Sequence, residues 1–325
     1  MSSNGPERSD HSVLLSNCTA DAISNAAAAL RSGALVAFPT ETVYGLGADA
    51  TNESAVAHIY SVKGRPADHP LIVHIGQLSQ LDQWAIDIPD YAIALARDYW
   101  PGPMTLILKR SAKAKDFITG GQDSVGIRIP ANPIALALLR EFTGGVAAPS
   151  ANRFGHVSPT TAAAVIEELG DYLSKDDLVL DGGACAVGVE STIIDCTGAA
   201  PSVLRPGAIS VAMIEKCTGL KTTQSDEEIR FSGSLENHYA PVAKVLLCET
   251  AISGQGLIAL KSIETPEGVS RLASPENDEE FAQILYSALR EADTRGLAEV
   301  VVVQPIGIGI AVAIRDRLAR AANGR

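Results

Sequence analysis

Short apolar runs that end in glycine or small polar residues recur along the first two thirds of this chain, and they restrict it to a sheet covered by helices. ALVAF (34–38), LIVHI (71–75), MTLIL (104–108), VGIRI (125–129), GVAA (145–148), LVLD (178–181), STIID (191–195) and SVLR (202–205) each suit a buried strand. Helical patterns lie between them. Residues 20–32 are Ala-rich, with Thr19 placed to cap the start and Gly33 to stop it. Asn52 opens a second helix that carries Ala55, Ile59 and Val62 at helical spacing and ends near Gly64. Further helices fit near 133–142, 159–169 and 208–217, with Ser158 as N-cap and Pro159 as first residue of the second of these. The irregular alternation predicts one large α/β domain of mixed sheet, covering 13–217.

The remainder changes character. Residues 1–12 are polar, lack the apolar segment of a signal peptide, and read as a loose tail. Residues 218–241 read as a linker, although Phe231, His238 and Tyr239 are more than a tether needs. From Val242 to Arg325 a second α/β pattern follows. Its strands are AKVLLCE, GLIALK and EVVVVQ, and its helices are PENDEEFAQILYSALREA and IAVAIRDRLARAA, enough for a small separate domain.

Charge and cysteine usage exclude some functions. The net charge is −12, which argues against broad electrostatic capture of RNA or DNA but leaves room for a local basic pocket. The five cysteines, Cys18, Cys185, Cys196, Cys217 and Cys248, include no CxxC pair and read as reduced thiols of a cytoplasmic protein. No run approaches the roughly 18 apolar residues of a membrane helix, so a soluble protein without membrane contact is expected.

Four stretches could carry chemistry. In PTETVYGLGADA (39–50), Gly45, Gly47 and Ala50 fit GxGxxA, but the helix starts only after Asn52, which is the wrong context for a dinucleotide turn. Thr40, Glu41 and Thr42 form either a turn with satisfied hydroxyls or a ligand rim that the glycines open to close approach. In SVKGRPADHPLIVHI (61–75), Lys63 and Arg65 either pair with a helix C-terminus or grip a polyphosphate from a turn stiffened by Gly64, Pro66 and Pro70. His69 and His74, five apart on an extended chain, face opposite ways and do not suggest a shared metal.

In VAAPSANRFGHVSPTTA (146–162), Ser150, Ala151 and Asn152 lie beyond a strand end, where α/β proteins place ligands. Ser158 either caps a helix or marks an anion site at its N-terminus. In GVESTIIDCTG and VLRPGAIS, Glu190, Ser191 and Thr192 precede one strand and Arg205 ends another. There is no GxxxxGK(S/T), HExxH or GxSxG motif, and GIG (307–309) reads as a packing turn.

Together PTETVYGLG, SVKGRP with HPL, SVGIRIP, APSAN with SPT, GVESTI, VLRPG and HYAP resemble the ordered motifs of threonylcarbamoyl-AMP synthases of the YrdC-like type, in the long form with a linker and a C-terminal domain. The resemblance covers about residues 20–325, most strongly to 210 and at HYAP. It implies a YrdC-like twisted mixed sheet with a concave pocket, plus a small Rossmann-like α/β domain.

It also implies condensation of L-threonine, bicarbonate and ATP to threonylcarbamoyl adenylate and pyrophosphate, with Mg²⁺ accompanying ATP as cofactor. A separate downstream threonylcarbamoyl transferase complex would then modify tRNA beside the anticodon, so no stable direct tRNA binding is expected. Carried over residue by residue, the resemblance implies a catalytic tetrad of Lys63, Arg65, Ser150 and Asn152. It implies a threonine site of Thr42, His74, Arg128, Ala148 and Ser191, and no metal ligand in the protein. It implies ATP contacts from Arg65, His69, Ser124, Ser150, Ser158, Arg205 and Tyr239. His69 departs from the family, which usually has Asn there; its charge would vary near about pH 6.5.

Two further expectations concern placement. Arg128 sits in a strand, where a core-facing charge is costly without an anionic partner, so it is expected to take the threonine carboxylate. The linker is expected to fold over the pocket mouth, with Tyr239 on the nucleotide. The alternative readings are a double-stranded RNA-binding module and a carbamoyl-adenylate synthase of hydrogenase-maturation type, which shares the YrdC-like domain.

Overall fold

The structure, a computed structural model, describes residues 14–223, 229–231, 233 and 239–324. The tail assigned to 1–12 lies outside the described residues, as do Asn237 and His238 of the linker. In chain order the strands of the first domain are β1 (Leu14–Asn17), β2 (Val36–Phe38), β3 (Gly45–Asp49), β4 (Ile72–His74), β5 (Met104–Lys109), β6 (Ser124–Arg128), β7 (Val146–Ala147), β8 (Leu178–Asp181), β9 (Thr192–Asp195) and β10 (Ser202–Arg205). They form one sheet in the order β1-β8-β2-β3-β7-β4-β6-β5-β9-β10. The sheet is mixed: β4 runs parallel to β6 and β5 to β9, while β7 is antiparallel to both β3 and β4.

The helices are α1 (Ala20–Ser32), α2 (Glu53–Lys63), α3 (Leu81–Trp84), α4 (Asp90–Tyr99), α5 (Asp116–Thr119), α6 (Pro133–Phe142), α7 (Ala162–Leu169) and α8 (Val211–Thr218). The expected caps of α1 and α2 are present: Thr19 and Asn52 accept from main-chain N–H groups, and Gly33 and Gly64 close each helix in the left-handed region. Alternation along β2 sends Val36 and Phe38 into one apolar cluster, with α1 and α6, and Ala37 into the other, with Ile59, Trp84 and Leu95.

Two expectations fail here. GLGAD is absent from the expected strands, yet it is β3, paired with β2 and β7. Its glycines hid it, because glycine is a poor strand former. At Gly47 the reason for glycine is packing: a Cβ there would lie 2.7 Å from Val146 Cγ1 and 2.8 Å from Phe38 Cε1. The second failure is the start of α7. Its N-cap is Thr161, which accepts from Ala164 N–H, not Ser158. Ser158 and Pro159 are used sideways instead, since the Pro159 carbonyl accepts from Tyr44 N–H and the Ser158 hydroxyl bonds to Glu190.

The second domain contributes β11 (Lys244–Leu246), β12 (Gly256–Ile258), β13 (Ser270–Ala273) and β14 (Glu299–Val302), all parallel, in the order β11-β14-β12-β13. Helices α9 (Asp278–Thr294) and α10 (Ile310–Asn323) pack Phe281, Leu285, Leu289, Ile314 and Leu318 into an apolar cluster. Val43, Val157 and Val189 of the first domain belong to that same cluster, as does Tyr239. The two sheets therefore share apolar packing.

If β3 needs glycine for packing, Gly47→Ala should cost about 1–3 kcal/mol. The check is urea unfolding, with a lower midpoint and an unchanged slope expected. An unchanged midpoint would show that the space between Phe38 and Val146 is not limiting.

Candidate active site

Strand ends converge on one cavity in the first domain. His74 ends β4 and Arg128 ends β6, and the two are paired in register. Ala148 follows β7, Ser191 precedes β9, Arg205 ends β10 and Thr42 lies in the β2–β3 connection. All five expected threonine residues, Thr42, His74, Arg128, Ala148 and Ser191, line this cavity. Ser150, Arg205 and Tyr239 line it too, together with Glu190.

The expectation that Arg128 needs an anion from the substrate fails. Its anionic partner is inside the protein: Nη2 donates to Glu41 Oε1 at 2.7 Å and Nη1 donates to Thr42 Oγ1 at 2.9 Å. Glu41 also accepts from Ala131 N–H at 2.9 Å. The burial of Arg128 therefore does not by itself require a substrate carboxylate. The Thr40–Thr42 cluster serves both purposes left open by the sequence. Thr40 satisfies the turn by bonding Val43 O and Thr42 Oγ1, while Glu41 fixes a cationic side chain in the cavity wall.

Next to Arg128, the His74 imidazole is pushed down to about 3 by burial and by the neighbouring guanidinium, opposed more weakly by the carbonyls of Ile72 and Val146. It is neutral at pH 7, and its Nδ1 makes no hydrogen bond of good geometry among the described residues.

The cationic side of the site is tightly held. Arg205 is fully buried, with Nε donating to Ser191 O at 3.1 Å and Nη2 to Ser191 Oγ at 3.2 Å. Arg65 is buried, donates from Nη2 to Pro70 O at 3.0 Å, and lies 5.7 Å over the Phe154 ring. Burial pushes it down to about 10, and its Nε is buried without a hydrogen bond.

Lys63 sits beneath the turn after β7 rather than in the cavity lining. Its ammonium donates to the carbonyls of Ser150, at 2.6 Å, and Asn152. Burial, then Arg65, pushes its proton affinity well below the usual lysine range. Asn152 donates to Arg153 O and His156 O, and its buried Oδ1 has no hydrogen-bond partner among the described residues.

Four expected ATP residues, Arg65, Ser124, His69 and Ser158, are not among those that line the main cavity. Ser124 lines a neighbouring groove with Gln122, Arg230 and Phe231. His69 packs edge-on against Phe154 with ring centroids 5.4 Å apart, and burial, then Arg65, lowers its proton affinity. Ser158 is buried behind the wall, bonded to Glu190. Tyr239 is buried, adopts φ 63°, and stacks on Tyr286 of α9 at 5.8 Å. The linker fragment around Phe231 packs on Ile72, Ile107 and Ile193.

Sequence reasoning missed Glu41 as the partner of Arg128, and missed Tyr286 and Arg317, which both bind Glu190. The signal for Arg317 was present. It falls between Ile314 and Leu318 on the apolar stripe of α10, where a charge needs a buried partner.

Comparison with known proteins places the chain in a family. A family model described as telomere recombination, of the Sua5, YciO and YrdC group, matches residues 28–207. A second, described as the C-terminal domain of threonylcarbamoyl-AMP synthase, matches residues 209–323. The threonylcarbamoyl-AMP synthase of Pyrococcus abyssi is 40% identical, over 92% of this chain and 94% of the relative. That of Bacillus subtilis is 38% identical, over 93% of each. A crystal structure of P. abyssi Sua5 complexed with L-threonine aligns with a TM-score of 0.86 at 37% identity, over 95% of this chain and 97% of that one.

The neutral His74 has a measurable consequence. Its proton affinity is depressed on folding, so its stabilising contribution is complete above about pH 6.5, the unfolded value. It is lost as pH falls toward about 3, the folded value, because the unfolded chain binds a proton that the folded one does not. Over that window it should add about 1.4 kcal/mol of destabilisation per pH unit, and His74→Gln should remove this slope. Urea titrations between about pH 4.5 and 7 measure it. Identical slopes in both proteins would mean that His74 is not a buried neutral group.

Proposed function

The chain belongs to the threonylcarbamoyl-AMP synthases, enzymes that make threonylcarbamoyl adenylate, and we propose that it does so from L-threonine, bicarbonate and ATP. The observation that carries this reading is the shared cavity. A wall suited to a small amino acid, from Thr42, His74, Arg128, Ala148 and Ser191, adjoins a buried cation, Arg205, suited to phosphate.

The threonine amine forms a bond to the carbon of bicarbonate, one carbon–oxygen bond breaks, and water leaves with an amine proton, to give a carbamate. A carbamate oxygen then attacks the α-phosphorus of ATP, the bond to the bridging oxygen breaks, and pyrophosphate leaves with its electron pair. The carbamate is labile, so catalysis consists of positioning and charge neutralisation, without a covalent enzyme intermediate. Arg128 faces the threonine carboxylate with one edge already fixed by Glu41. The neutral His74 and Ser191 meet its polar groups. Arg65 and Arg205 offset charge on the phosphates.

Lys63 holds the Ser150–Asn152 turn, and the mutual repulsion of Lys63 and Arg65 is relieved by an incoming polyphosphate. Ser150 lines the cavity where the nucleotide would enter, and Asn152 supports that turn from behind by donating to Arg153 O and His156 O. Tyr239 closes the cavity on the side of the second domain, which keeps water from the mixed anhydride. Ser124 serves the nucleotide from the adjoining groove, and His69 from its place against Phe154, which also lies under Arg65. Ser158 acts through Glu190.

Mg²⁺ arrives with ATP, held by phosphate oxygens and water. The two carboxylates at the cavity do not fit as metal ligands. Glu41 is committed to Arg128 and Ala131 N–H, and Glu190 to Ser158, Tyr286 and Arg317. The product then passes to a separate threonylcarbamoyl transferase complex for tRNA modification. With a net charge of −12 the chain itself is not suited to hold tRNA stably. No described helix is long and apolar enough to cross a membrane, and the cysteines are free thiols, which suits work in the cytoplasm.

Pyrophosphate release should require threonine, bicarbonate and MgATP together, and carbamoyl phosphate should not replace threonine. Arg128→Gln should raise the KM for threonine by about tenfold or more while the KM for ATP moves about twofold or less, as expected for loss of one charge-assisted contact. Release that ignores threonine would sink the functional reading. Equal effects on both substrates would make Arg128 structural.

A further inference from the structure

Glu190 stands in the wall between the cavity and the second domain. Its carboxylate is buried and takes three donors. Ser158 Oγ meets Oε1 at 2.7 Å, while Tyr286 OH at 2.9 Å and Arg317 Nε at 2.7 Å meet Oε2. Two of these three come from the second domain, Tyr286 on α9 and Arg317 on α10. Arg317 is itself fully buried, donates also to Pro206 O at 3.0 Å and to Asp316, and lies 5.5 Å over the Tyr239 ring. Burial raises the proton affinity of Glu190, but Arg317 and then Arg205 overcome this and hold its carboxyl down at about 2.

An ionised carboxylate in this wall is a hazard for a site that must accept phosphates. Glu190 lines the cavity next to Arg205. Left unpaired, it would repel an incoming triphosphate and draw the Arg205 guanidinium toward itself. We propose that Arg317 is a positioning residue for the nucleotide: it neutralises Glu190 and holds it against Ser158 and Tyr286, so that the charge of Arg205 is turned to the substrate phosphates. The proposal rests on the functional reading above. It gives the second domain an electrostatic task in the first domain's site without any contact with substrate. A simple interdomain bolt would predict something different, namely equal damage to both substrate sites when the bolt is removed.

The experiment compares the full-length wild type with Arg317→Met, Arg317→Lys and the double variant Arg317→Met/Glu190→Gln. KM values for ATP and threonine come from pyrophosphate release, and threonine binding without ATP comes from calorimetry. Arg317→Met should raise the KM for ATP about tenfold or more and leave threonine binding within about twofold, the scale of one charge-assisted interaction. Arg317→Lys, which keeps the charge, should fall between. The double variant, which removes the stranded carboxylate, should return the KM for ATP to within about threefold of wild type.

Equal weakening of threonine and ATP in Arg317→Met, or a double variant as weak for ATP as the single one, would overturn the proposal. If Arg317→Met does not fold, the double variant decides. ATP near wild type supports the proposal, and ATP weakened with threonine retained overturns it. A wild type whose pyrophosphate release ignores threonine would defeat the functional reading alone. In that case MgATP binding by calorimetry to the same variants still tests the role of Arg317.

Discussion

A buried carboxylate must be matched, and in this protein the match is made across a domain boundary. Removing an ion from water costs several kcal/mol even after relaxation, and excellent geometry is needed to offset it. Glu190 meets that requirement with Arg317, Tyr286 and Ser158, and much else follows from where those donors come from. Helix α9 must pass close to the loop before β9. It does so at Gly188, where φ is 82° and a Cβ would lie 2.3 Å from Ala282 O, so only glycine suits. Arg290 of α9 reinforces the seam by binding Glu168 of α7 at 2.9 Å and the carbonyl of Val157. Val43, Val157 and Val189 then complete the apolar packing of the second domain.

Within the cavity the same logic recurs on a smaller scale. Arg128 is matched by Glu41, Arg205 is held by Ser191, and the Lys63 ammonium is held by two main-chain carbonyls. Each cation is fixed in the protein's own framework, so little reorganisation is left for the reacting system to supply. The orphaned atoms are as informative as the satisfied ones. Among the described residues, Arg65 Nε, His74 Nδ1, Asn152 Oδ1 and Arg290 Nε are buried without hydrogen bonds, and the first three belong to residues singled out from sequence for the site.

Much of this was legible in the chain. The caps Thr19, Asn52, Gly33 and Gly64 mark α1 and α2 because side-chain oxygens and left-handed glycines leave a local signature. The apolar runs mark nearly all the strands of the first sheet. Strand β3 escaped because its glycines are required by neighbours, Phe38 and Val146, that sequence does not place beside it. Ser158 followed by Pro159 reads as a helix start, yet tertiary bonds to Glu190 and Tyr44 claim that segment and delay α7 to Thr161. The residues expected for threonine come from motif resemblance and share one cavity, whereas Glu41 and Arg317 were not expected as ion partners. Pairing is a property of two distant positions, and one position alone carries only half of it.

The span between Glu190 and Arg317 also bears on how the protein is made. The two residues are 127 positions apart in the chain. During synthesis from the N-terminus the carboxylate therefore leaves the ribosome long before its cation. At roughly 5–20 residues per second this delay amounts to roughly 6–25 s. For that interval Glu190 stays hydrated, and the wall behind the cavity stays open. The nascent chain can assemble its large sheet but cannot seal it until translation has passed through most of α10.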